Sequence, residues 1–358
     1  MGPRVHVVGG GVIGLASAWE LSRNGHDVTL VAPAPGRDGA SWVAAGMLAP
    51  VTEAQFGESA LTALLVEGAG RWPAFAAALH DATGHAIGYD TTGTVTVALD
   101  ASDRASLDDL LAYQHTLGLE AHRRSASECR RLVPALSPAL RGGIEVPGDH
   151  HVDNRALLGA LAEGCRLGGV TFVEGTVAAL EEGPALVLAD GRRLAPDHVV
   201  LAAGTGLRFI EGLAGAALPS LRPVKGHILR LGPPDVGSPV PLLTRTVRGL
   251  VHGRSVYLVP RPDGSVVVGA TVEEKEADAA VRAGAVHELL CDARAIVPAV
   301  DELELREAAT GLRPATPDNM PHIGPTGLEG VVAAIGHHRN GILLAPLTAA
   351  AVADLIPR

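Results

Sequence analysis

The chain has 358 residues, with 29 Lys and Arg against 39 Asp and Glu, which gives a formal net charge of −10 at pH 7. This length predicts about two domains and a core large enough to fold without disulfides or structural metals. The 47% hydrophobic and 19% charged residues exclude a disordered or fibrous chain. The acidic balance offers no general attraction for nucleic acid or anionic membranes, and we predict neither as a partner.

The cysteines and the apolar segments bear on the compartment. Cys129, Cys165 and Cys291 lie far apart and form no C-x-x-C pair, which argues against a disulfide framework or a zinc site. The apolar N-terminus lacks the basic segment and cleavage site of a signal peptide. The longest apolar stretch, Gly341–Ile356, is shorter than the roughly 18 residues of a membrane span. We therefore predict a cytoplasmic protein.

The first thirty residues carry the clearest architectural signal. Val5–Val8 is a short apolar run typical of a buried strand, and three glycines follow it at once. Val12–Asn24 has the apolar spacing of a buried helix, which Gly25 ends. Asp27–Val31 then predicts a second strand, so this segment is a βαβ unit.

Later segments predict a second half of the same layer. In chain order they are a helix at 155–167, strands at 170–173, 177–180, 185–188 and 198–204, a strand at 330–335, and a helix near 345–355. The intervening stretches alternate strands and helices without a dinucleotide signature. We predict an α/β protein with a discontinuous Rossmann-like cofactor domain (1–51, 147–217 and 311–358). The remaining residues, 52–146 and 218–310, would form an α+β substrate domain on a mostly antiparallel sheet.

A glycine motif joins the first strand to the first helix. In Gly9-x-Gly11-x-x-Gly14 the glycines permit a tight turn and a close backbone approach. The helix N-terminus offers free N–H groups and a positive dipole to a pyrophosphate. We predict dinucleotide binding here, and the alternative is a glycine-rich turn that merely packs a helix on a sheet.

One part of the dinucleotide signature is missing. An acidic residue is expected about 20 residues further on, where it accepts the ribose hydroxyls, but the chain has Val31-Ala32-Pro33. Asp27 precedes this point and Asp38 follows it. Either another group holds the ribose, or backbone and water do. Arg37 would favour a 2′-phosphate and hence NADP, and the turn alone does not distinguish nicotinamide from flavin.

The next segment points to flavin. Gly39–Pro50 (GASWVAAGMLAP) resembles the flavin-contact loop of the D-amino-acid oxidase family, in particular that of its glycine oxidases. Further segments resemble the same family in the same order: PVKG at 223–226, YLVPR at 257–261, VVGAT at 267–271, GLRP at 311–314 and GHHRNGILLAP at 336–346. The resemblance covers nearly the whole chain.

The resemblance implies noncovalent FAD with its isoalloxazine between the two domains. The residues that it places on FAD are Gly9, Gly11, Val12, Ile13, Gly14, Ala32, Ala40, Ser41, Ala45, Gly46, Met47, Val177, His337, His338, Asn340, Gly341, Ile342 and Leu343. The family's acidic ribose ligand corresponds to Ala32. A His and a Met of the better-known glycine oxidase pockets correspond to Ser255 and Val272, which reshapes the pocket.

Three side chains are expected to contact the substrate. By resemblance, Arg313 is the carboxylate clamp, because a guanidinium fork matches a carboxylate bidentately. Arg339 resembles a second cation on the substrate side, and Tyr257 resembles the pocket tyrosine. The alternatives are a surface ion pair for Arg313, a salt bridge to a domain carboxylate for Arg339, and an ordinary half-buried strand residue for Tyr257. We expect no metal, since the adjacent His337 and His338 have no carboxylate at ligand spacing.

The activity implied by the resemblance is oxidative deamination of glycine, and of sarcosine or small D-amino acids. Hydride transfer to FAD would give an imine, O₂ would reoxidise the flavin with formation of H₂O₂, and the imine would serve thiazole synthesis for thiamine. The resemblance also implies a homotetramer. The alternatives are an oxidase or dehydrogenase of another D-amino or N-methyl amino acid, a non-catalytic nucleotide-binding module, and an NADP reductase.

Overall fold

The computed structural model describes residues 2–234, 241–274 and 278–357. The α-helices of this part of the chain are α1 Val12–Arg23, α2 Gly39–Val43, α3 Ser59–Thr83, α4 Ala101–Thr116, α5 Ala126–Leu132, α6 Asn154–Leu167, α7 Ala283–Ile296 and α8 Gly341–Leu355. Short 3₁₀ helices lie at Gly204–Phe209, Pro298–Glu302 and His338–Asn340.

The strands form four sheets, two large and two small. They are β1 Arg4–Val8, β2 Asp27–Ala32, β3 Met47–Leu48, β4 Thr94–Ala98, β5 His122–Arg124, β6 Gly143–Val146, β7 His150–His151, β8 Thr171–Glu174, β9 Val177–Glu181, β10 Ala185–Leu188, β11 Arg193–Leu194, β12 His198–Leu201, β13 Arg222–Gly232, β14 Thr246–Val251, β15 Arg254–Pro260, β16 Val266–Gly269, β17 Glu304–Ala315, β18 His322–Pro325 and β19 Val331–Ile335. β3 pairs with β7, and β9, β10 and β11 form a small antiparallel sheet.

The first large sheet has the order β18-β19-β12-β1-β2-β8 and is parallel except at β18. In the central strand, Val7 lies opposite Val200 on one side and Leu30 on the other. The βαβ unit predicted from the first thirty residues is therefore confirmed. It lies at the centre of a Rossmann-like sheet.

Both faces of this sheet are covered, which explains why its strands are nearly continuous apolar runs. Val5 and Val7 of β1 pack into a core shared with α1, α3, α6 and α8, whereas Val8 packs with the small sheet on the opposite face. Successive side chains of a strand alternate between the two faces, so one short strand supplies both cores.

The second large sheet has the order β17-β13-β16-β15-β14-β4-β6-β5 and is antiparallel except where β14 runs parallel to β4. Val256 and Leu258 of β15 point into a core that also contains residues of α5 and α7. Tyr257, between them in sequence, points the other way, into a cluster with Ala45 and Ile228. This second face of the sheet is turned toward the loops of the first sheet.

Helix α3 and strand β17 show how closely the two layers are joined. α3 comes from the segment 52–146, yet its fully buried Trp72 packs in the core of the first layer. The Trp72 Nε1 donates a hydrogen bond of 2.8 Å to the Leu343 carbonyl in α8. β17 runs unbroken across the division predicted at 310/311. The domain bounds themselves stay a prediction.

The last helix begins earlier than expected. Pro346 lacks the N–H that continues a helix, and we expected the helix to begin near it, at about Ala345. In the structure α8 begins at Gly341 and passes through Pro346, because burial of Leu343 and Leu344 against α3 outweighs the local preference. None of the described helices is long and apolar enough to cross a membrane.

Candidate active site

A cavity of about 580 Å³ lies between the carboxyl ends of the parallel strands and the face of the second sheet that carries Tyr257. Its wall includes Gly9, residues of the loop at 39–50 (the flavin-type loop), Arg313, Tyr257 and the start of α8. In open α/β sheets, ligands bind in the crevice at the carboxyl ends of the strands. The cavity therefore has the expected position for a dinucleotide, and the second sheet forms its opposite wall.

At one end of the cavity, most residues of the glycine turn line the cavity, whereas Gly14 packs against the backbone of the turn. Gly9 has φ of +120°, a conformation that favours glycine, and Gly9, Gly11, Val12 and Ile13 all line the cavity. Gly14 does not line it: a Cβ at Gly14 would overlap the Gly9 carbonyl oxygen. This glycine therefore lets α1 pack closely on the turn, and its contact with the cofactor stays a prediction.

The flavin-type loop is held in place by a residue that the sequence analysis missed. Ala40, Ser41, Ala45, Gly46 and Met47 line the cavity. Asn154, fully buried at the start of α6, donates from Nδ2 to the carbonyls of Ser41 at 2.8 Å and Trp42 at 2.9 Å. The Ser41 Oγ accepts from the Val12 N–H at 3.1 Å, which ties the loop to the glycine turn.

The turn into α8 supplies polar atoms without partners. His337 is buried and its Nε2 lies 2.9 Å from the Thr348 Oγ1. Burial lowers the pKa of both His337 and His338 to about 3, so the two imidazoles are neutral at pH 7. Within the described residues, the buried His338 Nδ1 and Asn340 Nδ2 have no hydrogen-bond partner, although both residues line the cavity. Such orphaned atoms fit a bound polar group such as the edge of a flavin ring.

The rest of the predicted cofactor contacts also lie on the cavity wall. Gly341, Ile342 and Leu343 form the first turn of α8, and Val177 lies at the start of β9. The N–H groups of a first helical turn have no intrahelical partner and are available to a ligand.

At the end of the cavity near β2, where the adenosine of a dinucleotide is expected, the last residue of β2 is Ala32 and not an acidic residue. Ala32 lines the cavity but is 3% exposed, and its Cβ lies so close to Gly10 that a side chain on that glycine would crowd it. Asp38 also lines the cavity and has no ion-pair partner in the described part of the chain; partial burial raises the pKa of its carboxyl. Arg37 is exposed and is not among the residues that line the cavity.

Strand register brings the substrate-side residues together on one face of the second sheet. Arg248 of β14 lies opposite Tyr257 of β15, which lies opposite Gly269 of β16. A Cβ on Gly269 would overlap the Tyr257 hydroxyl, so this glycine leaves the phenol its place. Burial raises the pKa of Tyr257, and its hydroxyl is therefore a hydrogen-bond donor at neutral pH.

Arg313, on β17, lies on the same face of the second sheet, three strands away from Tyr257 on β15. It pairs with Val224, and its guanidinium lies over Gly226, where a Cβ would overlap Nη2. The Nη1 donates to the Thr271 carbonyl at 3.3 Å. No carboxylate of the described residues lies within ion-pair distance of Arg313. A half-buried guanidinium therefore faces the cavity, and its charge helps to lower the pKa of Glu53.

Arg339 has a different environment. Its Nε lies 2.5 Å from the Glu53 Oε2, and its Nη2 lies 3.6 Å from Glu58. The other Glu53 oxygen is 2.5 Å from Nη1 of Arg248. Burial alone would raise the pKa of Glu53, but the charges of Arg248 and Arg339 outweigh it and lower the pKa to about 2. Arg339 reaches the cavity wall with its charge already paired, as in the alternative interpretation.

Glu53 and Arg248 were not identified from the sequence. They lie nearly 200 residues apart and belong to no local motif, so only the tertiary fold brings them to Arg339. In residues 2–234, 241–274 and 278–357 no group of three or more His, Cys, Asp or Glu side chains could hold a metal.

The parallel sheet with its glycine turn, and the cavity at the carboxyl ends of its strands, are typical of a dinucleotide-binding protein. A family model described as DAO, FAD dependent oxidoreductase, matches residues 4–355. The chain belongs to this family, and it is an FAD-dependent enzyme. The NADP and non-catalytic alternatives are set aside, whereas the resemblance stated above is confirmed.

Individual relatives agree with the family assignment. The chain is 33% identical to a glycine oxidase of Geobacillus kaustophilus strain HTA426, over 99% of this chain and 93% of that protein. It is 33% identical to a putative thiamine biosynthesis oxidoreductase ThiO of Rhizobium etli, over 98% of this chain and 95% of that protein. The crystal structure of glycine oxidase from Geobacillus kaustophilus matches with a TM-score of 0.90 at 32% identity, and the match covers 99% of this chain and 95% of that one.

Proposed function

We propose that this protein is a glycine oxidase that also accepts other small amino acids, such as sarcosine or small D-amino acids. The overall reaction consumes glycine, water and O₂ and produces glyoxylate, ammonia and H₂O₂. The observation that carries this proposal is Arg313, whose guanidinium faces the cavity without a carboxylate partner among the described residues. The carboxylate of an amino acid would supply that partner. The names of the two relatives support the same activity and its place in thiamine biosynthesis.

FAD, when bound, accepts a hydride from the substrate α-carbon and passes the electrons to O₂. The residues proposed to hold it are those that line the cavity from Gly9 to Met47 and from His337 to Leu343. The amide groups of the first turn of α8 stabilise negative charge that gathers near them. The neutral His338 and the amide of Asn340 provide further polar atoms on this wall.

The chain's own residues then orient the substrate. Arg313 binds the carboxylate bidentately, and the protonated Tyr257 hydroxyl is available to donate to it. Removal of water from the cavity and the nearby arginine charges both favour the neutral form of the amine, which hydride transfer requires. We assign no general base, since the reaction needs a neutral amine rather than a protein base.

We further propose that the imine product is used in thiazole formation for thiamine, and that the enzyme is a cytoplasmic homotetramer. The thiamine role is supported by the Rhizobium etli relative. It predicts that a strain lacking this protein needs added thiazole or thiamine when grown aerobically in minimal medium. Light scattering of the purified protein would test the predicted mass of four chains.

The activity is tested by the stoichiometry of turnover. Purified holoenzyme mixed with glycine in air should consume one O₂ and release one H₂O₂, one ammonia and one glyoxylate per turnover. Sarcosine should give methylamine in place of ammonia. Consumption of glycine without O₂ uptake would instead indicate a dehydrogenase with another electron acceptor. Absence of any product from glycine, sarcosine and D-alanine would contradict the proposal.

A further inference from the structure

A second cavity of about 380 Å³ adjoins the proposed active site. Its size falls within the range of small-molecule pockets, roughly 300–1,000 Å³. Most of its wall is apolar and comes from α4, β6, β14 and the loop before α3, through Leu107, Leu110, Ile144, Val146, Leu250 and Phe56. The role proposed above for glycine makes no use of this space.

The two cavities share part of their walls. Gln55, Arg248 and Ser255 line both of them. Arg248 is ion-paired with Glu53, so it presents no uncompensated charge at this boundary. Ser255 lies on the same strand face as Tyr257, two residues away, and its small side chain is exposed to the cavities. The two cavities therefore meet at Gln55, Arg248 and Ser255.

Two buried polar atoms on the wall of this cavity lack partners. The Gln114 side chain is 1% exposed and its Oε1 accepts no hydrogen bond within the described residues, although its Nε2 donates to the Val51 carbonyl. The Thr96 Oγ1, in a residue 8% exposed, also has no partner there. Because buried polar atoms are nearly always hydrogen-bonded, these two atoms point to a ligand with a polar end.

We infer that the second cavity is a side-chain subsite, and that the preferred substrate is an amino acid larger than glycine. Its substituent would have an apolar stem of three or four carbons and a hydrogen-bonding tip, such as a hydroxyl. This inference rests on the proposed function, since it keeps the carboxylate on Arg313. The stem would pass Ser255, and the tip would meet Thr96 and Gln114. The substituent could be attached to the α-carbon or to the nitrogen, and the substrates tested below distinguish these two cases.

The test compares holoenzyme activity on glycine with activity on two homologous series. One series carries methyl to n-butyl groups on the α-carbon, as both enantiomers, and the other carries the same groups on the nitrogen. In at least one series, kcat/KM relative to glycine should rise by up to about fourfold for each methylene that enters the apolar subsite. Ser255→Phe at the boundary of the two cavities and Leu110→Phe in the wall of the second cavity both reduce the space for the substituent and should abolish the rise. Ser255→Ala, which leaves this space open, should keep it.

The hydroxyl tip has its own test. A terminal hydroxyl in place of the last methyl should improve kcat/KM by about threefold in the wild type, and Thr96→Val should remove this preference. Equal rates for the two tips would overturn the polar part of the inference.

The outcomes separate the subsite from the activity. Relative rates that fall with length in the wild type, and fall equally in both filled variants, would overturn the subsite while glycine turnover still supports the proposed function. Turnover of the longer substrates without turnover of glycine would support the subsite and contradict glycine as a substrate. No turnover of any amino acid would contradict both. Retention of the flavin spectrum in each variant shows that the fold is intact.

Discussion

The glycine turn and the arginine wall face each other across one cavity but are assembled in different ways. The turn is a single run of six residues, Gly9–Gly14, whose conformation follows from the glycines themselves. The wall draws Glu53, Arg248, Arg313 and Arg339 from distant parts of the chain. Local sequence therefore predicts where the cofactor phosphates bind, while strand register and helix packing determine which arginine has no ion-pair partner among the described residues.

The two arginines named from the sequence illustrate this difference. Arg339 is held by Glu53 at 2.5 Å, whereas Arg313 has only the Thr271 carbonyl at 3.3 Å. Both are partly buried on the same wall, so burial does not distinguish them. The counterion does: we expect Arg313 to govern turnover and Arg339 with Glu53 to govern stability.

The largest effect is expected at Arg313. Arg313→Ala should lower kcat/KM for glycine by roughly 10²-fold or more, because two charge-assisted hydrogen bonds of about 1.5–3 kcal/mol each are lost. Arg313→Lys should recover only part of this, since an ammonium lacks the fork. Steady-state kinetics with purified holoenzyme would measure both. If Arg313→Ala keeps kcat/KM within about threefold of wild type, the clamp lies elsewhere and Arg339 is the next candidate.

Glu53→Gln tests whether the ion pairs of Glu53 with Arg248 and Arg339 stabilise the fold. Arg248 would lose its counterion and Arg339 would keep only Glu58, at 3.6 Å, and removal of one partner of a buried pair costs about 3–5 kcal/mol. The free energy of unfolding from urea denaturation should fall accordingly. Glu181→Gln breaks an exposed pair with Arg193 and should leave this free energy nearly unchanged. Equal effects of the two substitutions would show that the Glu53 cluster does not stabilise the wall.

Gly226→Ala should displace the Arg313 side chain although Arg313 itself is not replaced. A methyl group at this position would overlap the guanidinium, which is the flexible end of a long side chain and can move away. We expect KM for glycine to rise about tenfold, equivalent to about 1.4 kcal/mol, with the fold and FAD binding retained. Gly324→Ala is the matched control, since it also lies in a strand but has open space around it. An unchanged KM in Gly226→Ala would place the guanidinium elsewhere.

Asp38 is the available carboxylate at the adenosine end. If it takes the place of the acid missing at Ala32, Asp38→Asn should weaken FAD binding by about two- to tenfold through loss of a hydrogen bond to the ribose. Fluorescence titration of apoprotein with FAD would measure this. Arg37→Gln, one residue away and outside the cavity wall, should leave the dissociation constant unchanged. The same affinity for Asp38→Asn and wild type would indicate that backbone or water holds the ribose.

A final effect concerns the dependence of stability on pH. Burial lowers the pKa of His337 in the folded state to about 3, below its ordinary value of 6.5. The unfolded chain therefore binds more protons below pH 6.5, and stability present above that pH is lost as the pH falls toward 3. His337→Asn should make the decline of unfolding free energy shallower over this window. An identical slope in the variant would show that His337 does not contribute to it.

The sequence predicted what depends on neighbouring residues. The strand, glycine turn and helix at 4–23 follow from spacing and propensity, and the loop at 39–50 carries its own motif. The start of α8 could not be predicted, because packing against α3 overrides the preference at Pro346. The support from Asn154 and the pairing of Arg339 with Glu53 require contacts over more than 100 residues. Such contacts leave no local pattern.

Anaerobic reduction of the bound flavin by glycine tests the central claim most directly. Wild-type protein should show the absorbance of oxidised flavin, lose it on addition of glycine without oxygen, and regain it with release of H₂O₂ when air is admitted. Under the same conditions Arg313→Ala should bind FAD normally but need far more glycine for the same rate of bleaching. A wild-type spectrum that glycine leaves unchanged, or bleaching at equal rates with and without Arg313, would contradict the account.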